Sequence, residues 1–228
     1  MPIVLIAGAG SGLSASLARA FHAKGLIPVL AARDVSKLTD LARETGAITV
    51  AADASTADGV AAIFDAIDAA DGELAVAIYN PSYRVRGPIA EVDPAEVQKA
   101  LQITAYGAFL VGQQAARRML ASGGGTILFT GASAGVKGYP LSAAFAMGKF
   151  ALRGLAQSMA RELHPKGVHV AHVVIDGMIR NPGRTEPADK PDSMLDPDAI
   201  AETYVQLAQQ DRSIWTWEVE VRPWVENF

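Results

Sequence analysis

Apolar positions along this chain follow two rhythms. Short, nearly continuous runs occupy residues 3–7, 27–32, 48–51, 74–80, 126–130 and 168–175. Runs of this length without polar alternation predict strands covered on both faces. Between them the apolar residues recur at steps of three and four. Leu13, Leu17, Ala20, Phe21 and Lys24 keep that spacing, as do Ala61, Phe64, Asp65, Ile67 and Asp68. Leu152, Leu155, Met159 and Leu163 form a third stripe. Each stripe predicts an amphipathic helix. The alternation implies an α/β chain: a doubly wound parallel sheet flanked by helices on both faces. A further helix is expected over 198–210, announced by Pro197 and Asp198, and a last strand over 215–221. Residues 176–196 break the rhythm, with Pro182, Pro187 and Pro191 among many charges. A loop this long in a compact domain reads either as a substrate lid or as a mobile surface insertion.

Composition narrows the classes. The 228 residues make one domain, 1–228, the economical division. Half the residues are apolar and the net charge is −4. That argues against disorder and gives no general attraction to nucleic acid or anionic membranes. Cysteine is absent. Disulfides, thiolate nucleophiles and Cys-based metal sites are therefore excluded. The dispersed histidines give no metal-ligand spacing. The first apolar run is short and lacks a basic flank, and no stretch reaches membrane-span length. A cytoplasmic protein is the expectation.

The 21 glycines are informative by position. Gly8, Gly10, Ser11, Gly12 and Leu13 follow the first predicted strand and open the first helix. A glycine turn there lets backbone N–H groups and a helix N-terminus face a pyrophosphate. Position 13, where the dinucleotide fingerprint has its third glycine, is Leu. The second strand ends Ala32-Arg33-Asp34. A carboxylate at this tip would accept from the ribose 2′-OH, whereas an arginine accommodates a 2′-phosphate. Ala32 followed by Arg33 favours NADP(H) over NAD(H). The alternative gives the ribose to Asp34.

Taken in order, these motifs resemble the short-chain dehydrogenase/reductase family, with its Rossmann-type fold. Ala7 to Ser14 align with the family's Thr-Gly-x-x-x-Gly-Ile-Gly, matching two glycines of three. The resemblance assigns Asp53 to the adenine amino group. It sets Asn80 in the family's Asn-Asn-Ala-Gly segment, and Gly177 in its Pro-Gly turn with Ile179 close behind. It also implies a nicotinamide cofactor, a small-molecule substrate and assembly as a homodimer or homotetramer, with helix 142–163 at an interface. The aromatic tail, Trp215, Trp217, Trp224 and Phe228, fits an interface or a core.

The family's chemistry uses Tyr, Lys, Ser and Asn. This chain keeps Lys149 and carries Phe145, Ala132 and Thr104 at the other three positions. Phenylalanine has no proton to give. The substitute candidates are Ser133, beside the vacant serine position, and Asp176, beside Gly177. Each reads equally as a turn residue. Tyr139 and Phe145 are expected to wall a substrate pocket. Arg84, Arg86, Lys137, Arg180 and Arg184 lie in loops after the fourth, fifth and sixth strands. That is the ligand-binding edge of an open α/β sheet, so these cations read either as a site for an anionic substrate or as ordinary polar loops screened by Glu186 and Asp189. The expected function is an oxidoreductase with an unusual proton donor. The alternative is a dinucleotide-binding sensor or scaffold without turnover.

Overall fold

The computed structural model describes residues 1–226. The strands are β1 Pro2–Ala7, β2 Ile27–Ala32, β3 Ile48–Ala51, β4 Glu73–Tyr79, β5 Gly125–Thr130, β6 Val168–Ile175, β7 Met178–Ile179, β8 Met194–Leu195 and β9 Glu218–Val221. The helices are α1 Leu13–Ala23, α2 Thr39–Thr45, α3 Ala57–Asp68, α4 Pro94–Leu101, α5 Gly107–Ser122, α6 Ala143–Leu163 and α7 Pro197–Ala208. Among the described residues, seven strands form one parallel sheet in the order β3-β2-β1-β4-β5-β6-β9.

The continuous apolar runs have a direct cause. In β1, Ile3 and Leu5 join one buried cluster with Phe64, Val111 and Leu152. Val4 and Ile6 join the other with Phe21, Leu128 and Tyr204. Alternate side chains point to opposite faces, and helices cover both. Burying each such side chain stabilises the fold by roughly 1.5–3 kcal/mol.

Register brings the loop starts to one edge. Ala7 pairs with Ala31 on one side and with Tyr79 on the other. Ala32 pairs with Ala51. Gly8, Arg33, Asp53 and Asn80 therefore leave the sheet at the same edge. The chain order reverses between β1 and β4, which is the switch point where open sheets bind ligands.

Several expectations shift. α7 is capped by Asp196, whose side chain accepts from the Asp198 N–H, so Pro197 is its first residue. It ends at Ala208, short of 210. The last strand covers only Glu218–Val221, because 212–214 form a 3₁₀ turn and Trp215 stacks on His169 at 4.8 Å. Trp217 packs against the core while Trp224 is exposed, so the tail is not one buried aromatic element. Phe228 lies outside the described residues. Residues 176–196 are not irregular throughout: β7 and β8 pair within them. Arg180 fastens this excursion to Asp196 at 2.6 Å, and Glu186 accepts from the Met194 N–H.

Candidate functional site

A cleft of about 450 Å³ opens at the switch point. Gly8, Ala9, Arg33, Asp53, Asn80 and Tyr83 are among its walls. A larger hollow, about 800 Å³, lies at the opposite edge between Lys24, Glu73, Gly124 and Arg212. That edge carries the strand N-termini. We place the site in the smaller cleft, because the strand C-terminal ends, the switch point and the glycine turn coincide there.

The glycine turn is fixed by its neighbours. Gly8 has φ +78°, and a Cβ there would lie 2.7 Å from Pro81. Only glycine tolerates both conditions. Ser14 donates to the Gly8 carbonyl at 3.0 Å, and the Asn80 amide donates to the Ser14 hydroxyl at 2.8 Å. The Asn80 N–H donates to Ala7. Asn80 thus ties β4 to the turn. Gly10 is different: nothing lies within 4 Å of where its Cβ would be. Its neighbour Ser11 is exposed, and no side chain caps α1 at Gly12. The first-turn N–H groups beside this open space suit a phosphate. Leu13 points into the core instead and anchors the helix.

Around the ribose end, Asp34 is engaged locally. It accepts from the Ser36 N–H and hydroxyl, and pairs with Lys37 at 3.4 Å. Arg33 and Lys37 line the cleft. Asp53 accepts from the Ser55 N–H at 2.9 Å and its hydroxyl at 2.7 Å. Burial pushes the Asp53 carboxyl up, but these two bonds and nearby Arg33 outweigh it, leaving it below the usual carboxylate range. The open space at Gly10 and the uncapped helix fit a dinucleotide phosphate, and Arg33, Asp34 and Lys37 stand together at the ribose end.

The chemical end is built from α6 and the loops facing it. Phe145 and Lys149 lie one turn apart on α6. Lys149 is buried, and its Nζ donates to the Thr130 carbonyl at the tip of β5 at 2.7 Å. The Phe145 ring centroid is 5.9 Å from Nζ. Burial pulls the Lys149 ammonium down to about 7. Thr104 is buried in a π-turn, 102–106, between α4 and α5. The Tyr79 hydroxyl donates to the Ile103 carbonyl of that turn. Gly148 lets α6 press on it, since a Cβ there would lie 3.0 Å from Thr104. Such π-turns recur at functional sites.

The other candidates scatter. Ser133 opens the 3₁₀ turn 133–135, and its carbonyl accepts from Val136 and Lys137. Asp176 is buried, with Lys137 and Arg222 each 3.7 Å from its carboxylate. Gly177 has φ +153° and sits against Pro223, 2.9 Å from where its Cβ would be. Ile179 is half-buried in β7. Tyr139 is exposed, with Lys137 Nζ 5.6 Å from its ring centroid. The five cations do not act as one patch: Arg180 is paired with Asp196 and Lys137 with Asp176. Arg84, Arg86 and Arg184 are exposed, and Arg84 rests 5.3 Å from the Phe145 centroid. Sequence reading missed that contact, because nothing in the chain order links positions 84 and 145. It also missed Lys37, hidden in a turn of ordinary composition. Among the described residues no three His, Cys, Asp or Glu side chains gather as a metal cluster, and no helix is long and apolar enough to cross a membrane.

The short chain dehydrogenase family model matches residues 2–192. The chain belongs to the short-chain dehydrogenase/reductase family. A short-chain dehydrogenase from Rhodopseudomonas palustris is similar in structure, with TM-score 0.84, 39% identity and coverage of 98% of this chain and 99% of that one. A metagenomic short-chain oxidoreductase solved in complex with NADP has TM-score 0.84 and 30% identity, covering 97% of each chain. A cis-4-hydroxycyclohexanecarboxylate dehydrogenase from Sinomonas cyclohexanicum is 27% identical, over 92% of this chain and 90% of the relative. As a short-chain dehydrogenase/reductase, this protein is an oxidoreductase of the nicotinamide dinucleotide class. In this chain Phe145 stands one turn before Lys149 on α6.

Proposed function

We propose that this protein is an NADP(H)-dependent oxidoreductase acting on a small anionic substrate, with Lys149 as its proton-holding group. The observation that carries the reading is the cleft at the switch point. Gly8, Gly10, Ser11, Gly12 and Leu13 shape its phosphate turn, Asp53 would meet the adenine, and Asn80 holds the turn in place. Arg33 and Lys37 line its ribose end while Asp34 is spent on Ser36 and Lys37. That arrangement favours a 2′-phosphate over a bare hydroxyl. The solved relative in complex with NADP adds weight. When bound, the nicotinamide supplies or accepts a hydride.

The chain's own part is binding, orientation and the proton. Lys149 Nζ keeps one N–H on the Thr130 carbonyl. With its affinity drawn to about 7, the same nitrogen gains and loses a proton near neutrality, as an acid–base group must. The Phe145 ring stands beside it, 5.9 Å from centroid to Nζ. Ser133 and Asp176 are the secondary candidates, and of the two Asp176 already carries two cations. Gly177 and Ile179 bring the 176–196 excursion towards the glycine turn, where Asn181 Cβ stands 3.7 Å from the position of a Gly12 Cβ. We assign this excursion as a lid. Arg84, Arg86 and Tyr139 face the substrate side. A relative whose name denotes a carboxylate substrate is consistent with an anionic ligand. Tyr106, Phe109, Met147 and Phe150 are exposed apolar residues at α5, α6 and the preceding turn. They support a homodimer or homotetramer.

The decisive experiment is fluorescence titration with NADPH and NADH. Tighter binding of NADPH is expected, and equal or absent binding overturns the cofactor assignment. A second reading, a dinucleotide-binding protein without turnover, is favoured by Phe145, Ala132 and Thr104 together. If carbonyl reduction arises only in the Phe145→Tyr/Ala132→Ser double variant, the natural chain is no ordinary ketone reductase.

A further inference from the structure

The loop after β4 is pinned at three places, and of its two exposed arginines, Arg84 and Arg86, Arg84 rests on an aromatic ring. Its Tyr83 N–H donates to the Thr104 hydroxyl of the π-turn at 3.3 Å. The Tyr83 hydroxyl donates to Glu96 of α4 at 2.6 Å and accepts from Lys99 at 3.2 Å. Further on, the Gly87 N–H donates to the Leu141 carbonyl at 3.1 Å. Leu141 itself holds φ +61°, a left-handed conformation that a leucine rarely adopts. Strain of this kind persists where surroundings impose it, and it clusters at ligand sites. Arg84 lies between these anchors. Its guanidinium carbon is 5.3 Å from the Phe145 ring centroid. It is exposed and makes no ion pair with any described residue. Of the five loop cations, it is the one with an aromatic seat and no carboxylate partner.

We propose that Arg84, seated on Phe145 and held by the pinned loop, is the anchor for a carboxylate group of the substrate. A planar guanidinium offers paired N–H donors that match the two oxygens of a carboxylate, and an aromatic face leaves those donors free at its edge. The ring that lacks a hydroxyl for chemistry thus serves as a platform for recognition. The same ring also lies 5.9 Å from Lys149 Nζ, so Arg84 and the buried amine are both neighbours of Phe145. This deepens the proposed function and rests on the cleft binding NADP(H).

The test uses the full chain saturated with NADPH. Acetate, benzoate and cyclohexanecarboxylate are each titrated by calorimetry against the matching primary amide, and phenyl phosphate is added as a dianion. At least one acid is expected to bind tenfold or more tighter than its amide. Arg84→Gln should abolish that preference, and Arg84→Lys should restore only part of it. Both variants should keep the NADPH affinity of the unaltered protein. Acids and amides binding alike, or a preference that survives Arg84→Gln, overturns the proposal. Tighter binding of phenyl phosphate than of every acid overturns the carboxylate class. Failure of the unaltered protein to bind NADPH overturns the reading of the cleft, which is a separate result.

Discussion

Around Gly8 the polypeptide has almost no freedom, whereas around Lys149 it carries an avoidable cost. The glycine turn is set by a left-handed φ, by contact with Pro81 and by the Ser14 and Asn80 hydrogen bonds. At Lys149 an ammonium is sealed in the interior with a backbone carbonyl as its hydrogen-bond partner. One region is stabilised by its own geometry. The other keeps a charged group where burial disfavours the charge. The contrast teaches that the turn is held by its own geometry, while the buried lysine is kept at the expense of folding.

The strongest way to break this comparison is at the turn. Gly8→Ala is expected to destabilise the protein by about 2–4 kcal/mol, because it adds a left-handed alanine and a clash with Pro81. NADPH binding should be lost with it. Denaturant melts and a fluorescence titration check both. An unchanged midpoint would show that the turn has slack.

The opposite sign is expected at the amine. Lys149→Met should raise stability at pH 7 by on the order of 2–4 kcal/mol while abolishing turnover. The pH dependence follows from linkage. In the folded chain Lys149 loses its proton near 7, and in the unfolded chain near 10.5. Between those values the unfolded state holds the extra proton, so the stability of the unaltered protein rises with pH. The methionine variant should lack this rise, and the gap between the two should narrow from pH 7 to 9. Parallel pH profiles would show that burial does not lower the Lys149 proton affinity in the folded chain.

Arg33→Gln sharpens the cofactor side. NADPH affinity should fall about tenfold, the equivalent of one charge-assisted contact, with NADH affinity unchanged. Equal losses for both nucleotides would return the ribose to Asp34. The smallest effect is expected at Thr56, which caps α3 by accepting from the Gly59 N–H at 3.1 Å. Thr56→Ala should cost about 1 kcal/mol in melts and leave NADPH binding intact. It gauges how far a purely structural change is felt at the cleft.

The fold was readable because sheet coverage leaves a direct mark on the chain. A strand buried on both faces is apolar at nearly every position, as β1, β2 and β6 are, whereas β3, at the sheet edge, exposes Thr49 and Ala51 despite its apolar run. α4 and α5 were less legible. Ala108, Ala115 and Gly112 bury little apolar area, so the stripe is faint even though the helix packs well. The tail was over-read as strand because Trp215 is apolar in composition, yet its ring packs on His169. The loop cations were over-read as one patch, since charge in sequence does not reveal its partner.

The amino-acid sequence by itself determined the alternation of strands and helices, the glycine turn and the spacing of Phe145 from Lys149. Each depends on local spacing or on a single position, and such signals survive in one dimension. Only the tertiary structure decided that Asp34 is spent on its own turn, that Asp176 is ion-paired, that Lys149 is sealed against Thr130, and that Arg84 rests on Phe145. These facts join residues far apart in the chain. Burial and pairing are properties of the packed interior, and no periodicity records them.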